Sequence, residues 1–147
     1  MSSCFACSGN ISTAESAFGR ENFGYPICRG CQGYIRSNAN ETTTSQTVWL
    51  WIELRNRGVP VHLEKWDGYK TIDLAIPEAR CNIEVDGRHH QNFDQAFSDL
   101  KRMRHSLEKG FVTIRVPNSL VEDATPSERD GIVDELVMCI QAIRDNL

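Results

Sequence analysis

Three rhythms of apolar and polar positions run along this chain, and each predicts a kind of element. From about Ser45 the apolar residues Val48, Leu50, Trp51 and Leu54, with Arg55, recur at helical spacing, and the run ends at Gly58 with Pro60 just beyond. Helices stop in this way. Period-two alternation then takes over in VHLEKW and YKTIDLAI, residues 61–66 and 69–76. Between them lies Asp67-Gly68, the preferred pair for a two-residue hairpin turn, because both central positions need positive φ. A third run of strand character, RCNIEVDG at 80–87, follows a short break at Pro77-Glu78.

Asn92 and Gln95 then have the spacing of a capping pair for a helix running to Lys109, with Gly110 as its stop. Phe93, Phe97, Leu100, Met103 or Arg104, and Leu107 trace the stripe expected to be buried. FVTIRVP is a strand ended by Pro117, and Thr125-Pro126-Ser127-Glu128 supplies an N-cap, a proline at the first helical position and a carboxylate at N3. They open a closing helix with Ile132, Val133, Leu136, Val137, Ile140 and Ile143 inside, which either covers the sheet or forms a homodimer contact. The order is α-β-β-β-α-β-α over residues 46–147, an α/β (α+β) fold with a mixed sheet and no internal repeat.

Residues 1–36 have no such rhythm. Their signal is Cys4-x2-Cys7 and, twenty residues later, Cys28-x2-Cys31. Four thiolates in two short loops close a tetrahedron around zinc, and a segment this small needs such a staple. We expect a structural zinc-ribbon or treble-clef-like module. Arg20, Arg29 and Arg36, interleaved with Phe18, Phe23, Tyr25 and Tyr34, either grip nucleic acid or, by the heavier weighting, have their aromatics in the module's own small core. SNANETTTS, 37–45, is polar and is expected to be a linker.

Composition narrows the picture. A chain of 147 residues has room for one core of ordinary size plus a small appendage. Its net charge of −4 rules out holding DNA by a bulk basic field, so any nucleic-acid contact is local. No apolar run approaches a membrane span, the first residues lack the pattern of a signal peptide, and paired cysteines suit metal in a reducing compartment. The expectation is a cytoplasmic protein with no membrane partner. Cys81 and Cys139 are expected to pack in the interior as small hydrophobes.

The remaining question is charge on the sheet. Alternation puts Ile72, Leu74 and Ile76 on one face of their strand and Thr71, Asp73 and Ala75 on the other; in the next strand Cys81, Ile83 and Val85 oppose Asn82, Glu84 and Asp86. A four-residue connection at 77–80 pairs Ile76 with Cys81 and Leu74 with Ile83, which sets Asp73 across from Glu84. Such carboxylates have Cβ atoms about 5 Å apart and repel. A slip by one residue would expose the leucine and isoleucines, so the clash is not escaped by sliding. A divalent cation turns the repulsion into coordination. Across the Asp67-Gly68 turn, the same geometry places His62 opposite Asp73, either as a supporting partner or, by the heavier weighting, as a surface residue. Asp86 and His90 follow at once, and Lys101, Arg102, Arg104 and His105 lie on adjacent helical turns, a basic ridge suited to a phosphate chain.

With these residues in view, LWIELRNRG, IDLAI, IEVDGRHH, DLKR and FVTIRVPN together resemble the restriction-endonuclease-like PD-(D/E)XK superfamily, and within it the small endonuclease-like domains related to very-short-patch repair endonucleases. The likeness covers about residues 46–121. It implies an αβββαβ core, a Mg²⁺ or Mn²⁺ ion held by Asp73, Glu84 and the Val85 carbonyl, Asp86 where many relatives have lysine, and His90 beside the scissile phosphate. Asp99 and Arg102 match the helix pair and Arg115 the strand arginine; Arg88, Lys101 and Arg104 join Arg102 and Arg115 as nucleic-acid contacts. The helix acid of the pattern falls near Thr47, leaving Glu53 or nothing in its place. The activity implied is hydrolysis of phosphodiesters, DNA before RNA, with the zinc module aiding substrate binding. The competing expectations are a non-catalytic nucleic-acid or protein binding module on a degenerate endonuclease scaffold, and a zinc-ribbon regulator of a larger complex.

Overall fold

The computed structural model describes residues 2–87 and 92–147. The chain opens with two short paired strands, β1 (Ser2–Ser3) and β2 (Asn10–Ile11), then helices α1 (Thr13–Phe23) and α2 (Arg29–Asn38). Cys4 and Cys7 lie in the turn between the two strands, while Cys28 is the N-cap of α2 and Cys31 lies in its first turn. The larger part follows: α3 (Ser45–Asn56), β3 (His62–Trp66), β4 (Thr71–Ile76), a 3₁₀ turn at Pro77–Ala79, β5 (Cys81–Asp86), α4 (Phe93–Glu108), β6 (Val112–Pro117), α5 (Asn118–Glu122) and α6 (Pro126–Asp145). Thus the expected order holds, with α5 as an added turn of helix, and the described residues form a mixed α+β fold.

The four-stranded sheet runs β3-β4-β5-β6, antiparallel except for β5 and β6. Only a parallel pair needs a crossover, and α4 provides it. Helix α3 is buried almost all round, with Leu50, Ile52 and Leu54 wholly enclosed, and α6 buries Val133, Leu136 and Ile140 behind its Thr125 capping box. These side chains meet Leu74, Ile76, Cys81 and Ile83 in one core that continues into Ile11, Ile27 and Ile35 of the cysteine-bearing segment. Tyr34 stacks on Trp51 and its hydroxyl accepts from the Leu63 N–H at 3.1 Å; Tyr25 donates to Glu53 Oε1 at 2.6 Å and accepts from Trp49 Nε1 at 2.7 Å. Tyr25 and Tyr34 therefore pack inward, as the heavier weighting expected, whereas Phe18 is half-exposed beneath the Arg36 guanidinium.

Three expectations need correction. The apolar stripe of α4 is not buried: Phe93 is 77 % exposed, Leu100 60 % and Leu107 55 %, and the residue this helix buries is Ser106, whose hydroxyl accepts from Asn82 Nδ2. An apolar stripe reports an amphipathic helix, not which side meets the sheet. Cys139 is exposed, unlike Cys81, whose thiol burial pushes up to about 12. Finally, the β3–β4 connection is not a two-residue turn. Trp66 pairs with Thr71 across a four-residue loop, because the Asp67 carboxylate turns back to accept the N–H groups of Tyr69 and Lys70, both at 2.8 Å. Lengthening the loop by two residues shifts everything on β3.

No helix among the described residues is long and apolar enough to cross a membrane.

Candidate functional site

Two places gather titratable side chains, and one of them has the geometry of a metal site. At the first, the four cysteine sulfurs lie within 4.8 Å of one another, the one set of three or more candidate ligands that converges this way among the described residues. Cys4 and Cys31 are 3.8 Å apart, as are Cys7 and Cys28. Sulfurs about 2.3 Å from a tetrahedral ion stand roughly 3.8 Å from each other, so the spacing fits zinc, and it is far too long for a disulfide. Burial disfavours ionising Cys4, but the N–H groups of Cys28, Cys7 and Ala6 outweigh it and bring the thiol down; burial and its cysteine neighbours push Cys31 up. Four thiols this close cannot all ionise without a cation among them. The set is closed by its own backbone, with Cys28 N–H donating to Cys4 Sγ at 3.2 Å and Cys31 N–H to Cys28 Sγ at 3.4 Å.

The second place is an open cleft of about 1430 Å³ between the sheet, α4 and the segment that leads from α2 into α3. The register of β4 and β5 is the one the apolar ladder required: Ile76 pairs with Cys81 and Leu74 with Ile83. Pairing stops there. At the next step the Val85 N–H is taken by the Asp73 carboxylate, at 2.8 Å, so the strands part where the acids begin. Asp73, Glu84, Val85 and Asp86 all line the cleft, with Asp99 and Arg102 from α4 and Arg115 from β6.

Glu84 is the anomaly. It is 8 % exposed and its Oε1 is fully buried without a hydrogen-bond partner. Its carboxyl is pushed up to about 8, by burial first and then by Asp73 beside it, against the opposing pull of Arg102 and Lys70. Asp86 is tied to Arg115 at 3.2 Å, and Arg102 lies 3.8 Å from Asp99. The basic ridge, by contrast, is divided: Lys101 sits over the Phe97 ring on the outer face, Arg104 reaches Glu108, and His105 packs on Tyr69, so of the four only Arg102 lines the cleft. Arg88 and His90 lie outside the described residues.

His62 is a surface residue, as the heavier weighting expected, and does not stand opposite Asp73. It is exposed and pairs with Ala75; in that register Glu64, not His62, stands across from Asp73, and no ladder pair forms there because Glu64 carries φ +52°. Glu53 is not a substitute helix acid for this cleft, being held by Tyr25 and Arg57 in a separate hollow on the other side of α3. Thr47, at the helix position in question, is buried and does line the cleft.

Of the cleft residues that escaped the sequence reading, two bear directly on the acid pair. One is Glu64, misplaced by the two-residue shift. The other is Lys70, which is 8 % exposed, donates from Nζ to the Arg102 carbonyl at 3.3 Å, and is lowered from the usual lysine range by burial, with Glu84 opposing. A lysine next to an aspartate–glycine turn looks like a solvated loop residue, so no local signal marked it.

Comparisons of the chain with protein-family models, with curated proteins and with solved structures find no match.

Proposed function

We propose that the chain is a metal-dependent nuclease, hydrolysing phosphodiester bonds in nucleic acid, DNA before RNA, on a restriction-endonuclease-like core whose zinc module aids substrate binding. The observation that carries this reading is the Asp73–Glu84 pair: two carboxyls from neighbouring strands on one cleft wall, one of them with a buried, unpartnered oxygen. That oxygen has no partner on the wall of an open cleft, where ionising Glu84 without a compensating charge costs several kcal/mol. A hard cation with oxygen ligands satisfies it, and the donor set suits Mg²⁺ or Mn²⁺. Asp73 and Glu84 would hold the ion, with the Val85 carbonyl beside them.

Such an ion supplies a Lewis acid and a bound water of lowered pKa. The chain's own residues supply the rest. Arg102 and Arg115 bind the anionic backbone, and buried Lys70 adds positive charge on the α4 side of the pair. Asp86, oriented by Arg115, is placed to position or accept a proton from water, a role it shares in this reading with His90.

The test is incubation of the zinc-loaded protein with plasmid, single-stranded and branched DNA and with RNA, in Mg²⁺ or Mn²⁺, beside Glu84→Gln. Cutting by the wild type and not by the variant is the expected result. Binding without cutting of any substrate would overturn the nuclease reading in favour of a non-catalytic module.

A further inference from the structure

Resting on the cation site just proposed, we infer that Glu64 is a third carboxylate of that site, acting through the ion's water shell, and that the turn at Asn40–Thr43 is its positioning element. Glu64 holds a left-handed backbone conformation, φ +52°, that a non-glycine residue adopts only under strain. The conformation breaks the β3–β4 ladder between Leu63–Leu74 and Lys65–Ile72 and leaves Glu64 across from Asp73. Its carboxylate lines the same cleft, half-buried, and is fixed at both oxygens: Thr43 Oγ1 donates to Oε1 at 2.9 Å and Asn40 Nδ2 to Oε2 at 3.3 Å. A solvated surface acid needs neither the strain nor the two donors.

Acids near one another do not by themselves make a site. The independent observation is the Glu84 oxygen, more than nine-tenths buried, without a partner and on the wall of the cleft that Glu64 and Asp73 share. Yet Glu64, Asp73 and Glu84 do not form a set of close-packed ligand atoms as the cysteines do. Mg²⁺ and Mn²⁺ sites of few carboxylates keep several waters on the ion, and a fixed acceptor just beyond the direct ligands is what such waters require. Asn40 and Thr43 follow α2 directly, so the element that carries two of the zinc ligands also sets the acceptor.

The experiment is titration of the zinc-loaded full chain with Mn²⁺, read by calorimetry and by water-proton relaxation of the bound ion, for wild type, Glu64→Gln, Thr43→Val and Asp73→Asn. Urea unfolding of each reports whether it folds. Outer residues of metal sites typically change affinity about tenfold or more, so Glu64→Gln should weaken Mn²⁺ about tenfold and Thr43→Val less. At saturation, the relaxation of bound Mn²⁺ should change in Glu64→Gln, which a merely structural role would not produce. Weakening by Asp73→Asn with Glu64→Gln and Thr43→Val unchanged in both readouts would overturn this inference and leave the cation site standing. Wild-type binding in Asp73→Asn would overturn the cation site, and the inference with it.

Discussion

Four thiols near the start of the chain and two carboxyls on the sheet both crowd like groups together, but the surroundings of the two sets differ. Backbone N–H groups donate to the Cys4 and Cys28 sulfurs, and Cys4, Cys28 and Cys31 pack on one continuous core, so most of the ligand set is oriented before an ion arrives. The carboxyls sit where a strand pairing has been broken off, one bonded to a backbone N–H and the other buried with an oxygen left over. A closed set of ligands spends its metal on folding; an open set at a cleft mouth stores unfavourable electrostatics that a ligand relieves. Removing ligands should therefore push stability in opposite directions at the two places.

The largest effect is expected at the cysteines. Chelating the metal, or Cys28→Ser, should cost several kcal/mol and lower the thermal midpoint by more than about 10 °C, with one equivalent of zinc lost by elemental analysis. An unchanged midpoint would show that the segment is held by Tyr25, Tyr34 and the shared core without metal. Next comes Asp73→Asn, which should reduce Mg²⁺-dependent cleavage by about 100-fold or more while leaving the fold intact, since it removes a ligand but keeps a hydrogen-bond acceptor for Val85.

Glu84→Gln reverses the sign. With its carboxyl raised to about 8 from the ordinary 4.5, folded Glu84 keeps a proton that the unfolded chain has already released. The unfolded state then binds fewer protons, so stability of the metal-free protein should fall as pH rises from about 4.5 to about 8. Below that window both states are protonated; above it the full penalty applies. Glu84→Gln should flatten this slope and stabilise the metal-free protein at pH 8 by on the order of 2 kcal/mol while abolishing cleavage. Urea unfolding at pH 5 and pH 8 measures it. A wild-type slope of the opposite sign would mean that Glu84 is ionised and satisfied without a cation.

Why one site could be read from the sequence and the other only in part follows from the range of the interactions. Cys-x2-Cys spacing is local geometry, and so are the caps at Thr125 and Asn92. Register between β4 and β5 is non-local but over-determined, since Leu74, Ile76, Cys81 and Ile83 all have to face one core. At β3 the buried Val61 and Leu63 fix which face meets the core, but a two-residue shift keeps that face, so the loop decides the register. Asp67 has two uses, as a turn residue with positive φ and as a side-chain acceptor that closes a longer loop, and the chain takes the second. The outward roll of α4 was equally hidden, because Ser106 and Asn82 hold the sheet-facing side with a hydrogen bond that no hydrophobic stripe reports.

The smallest effect tests that register. His62 is exposed, stands across from Ala75 and does not line the cleft, and its ring is held below the usual histidine range by partial burial, with Lys65 and Arg55 nearby. A cation partner of Asp73 would show the opposite shift, because a neighbouring carboxylate favours the charged ring. His62→Ala should therefore change stability by less than about 0.5 kcal/mol and leave Mn²⁺ affinity within about twofold of wild type. Glu64→Gln, two positions along the same strand, should change Mn²⁺ affinity while leaving stability nearly alone. The pair of variants separates the two registers directly: with a two-residue turn, the metal phenotype would belong to position 62; with the four-residue loop closed by Asp67, it belongs to position 64.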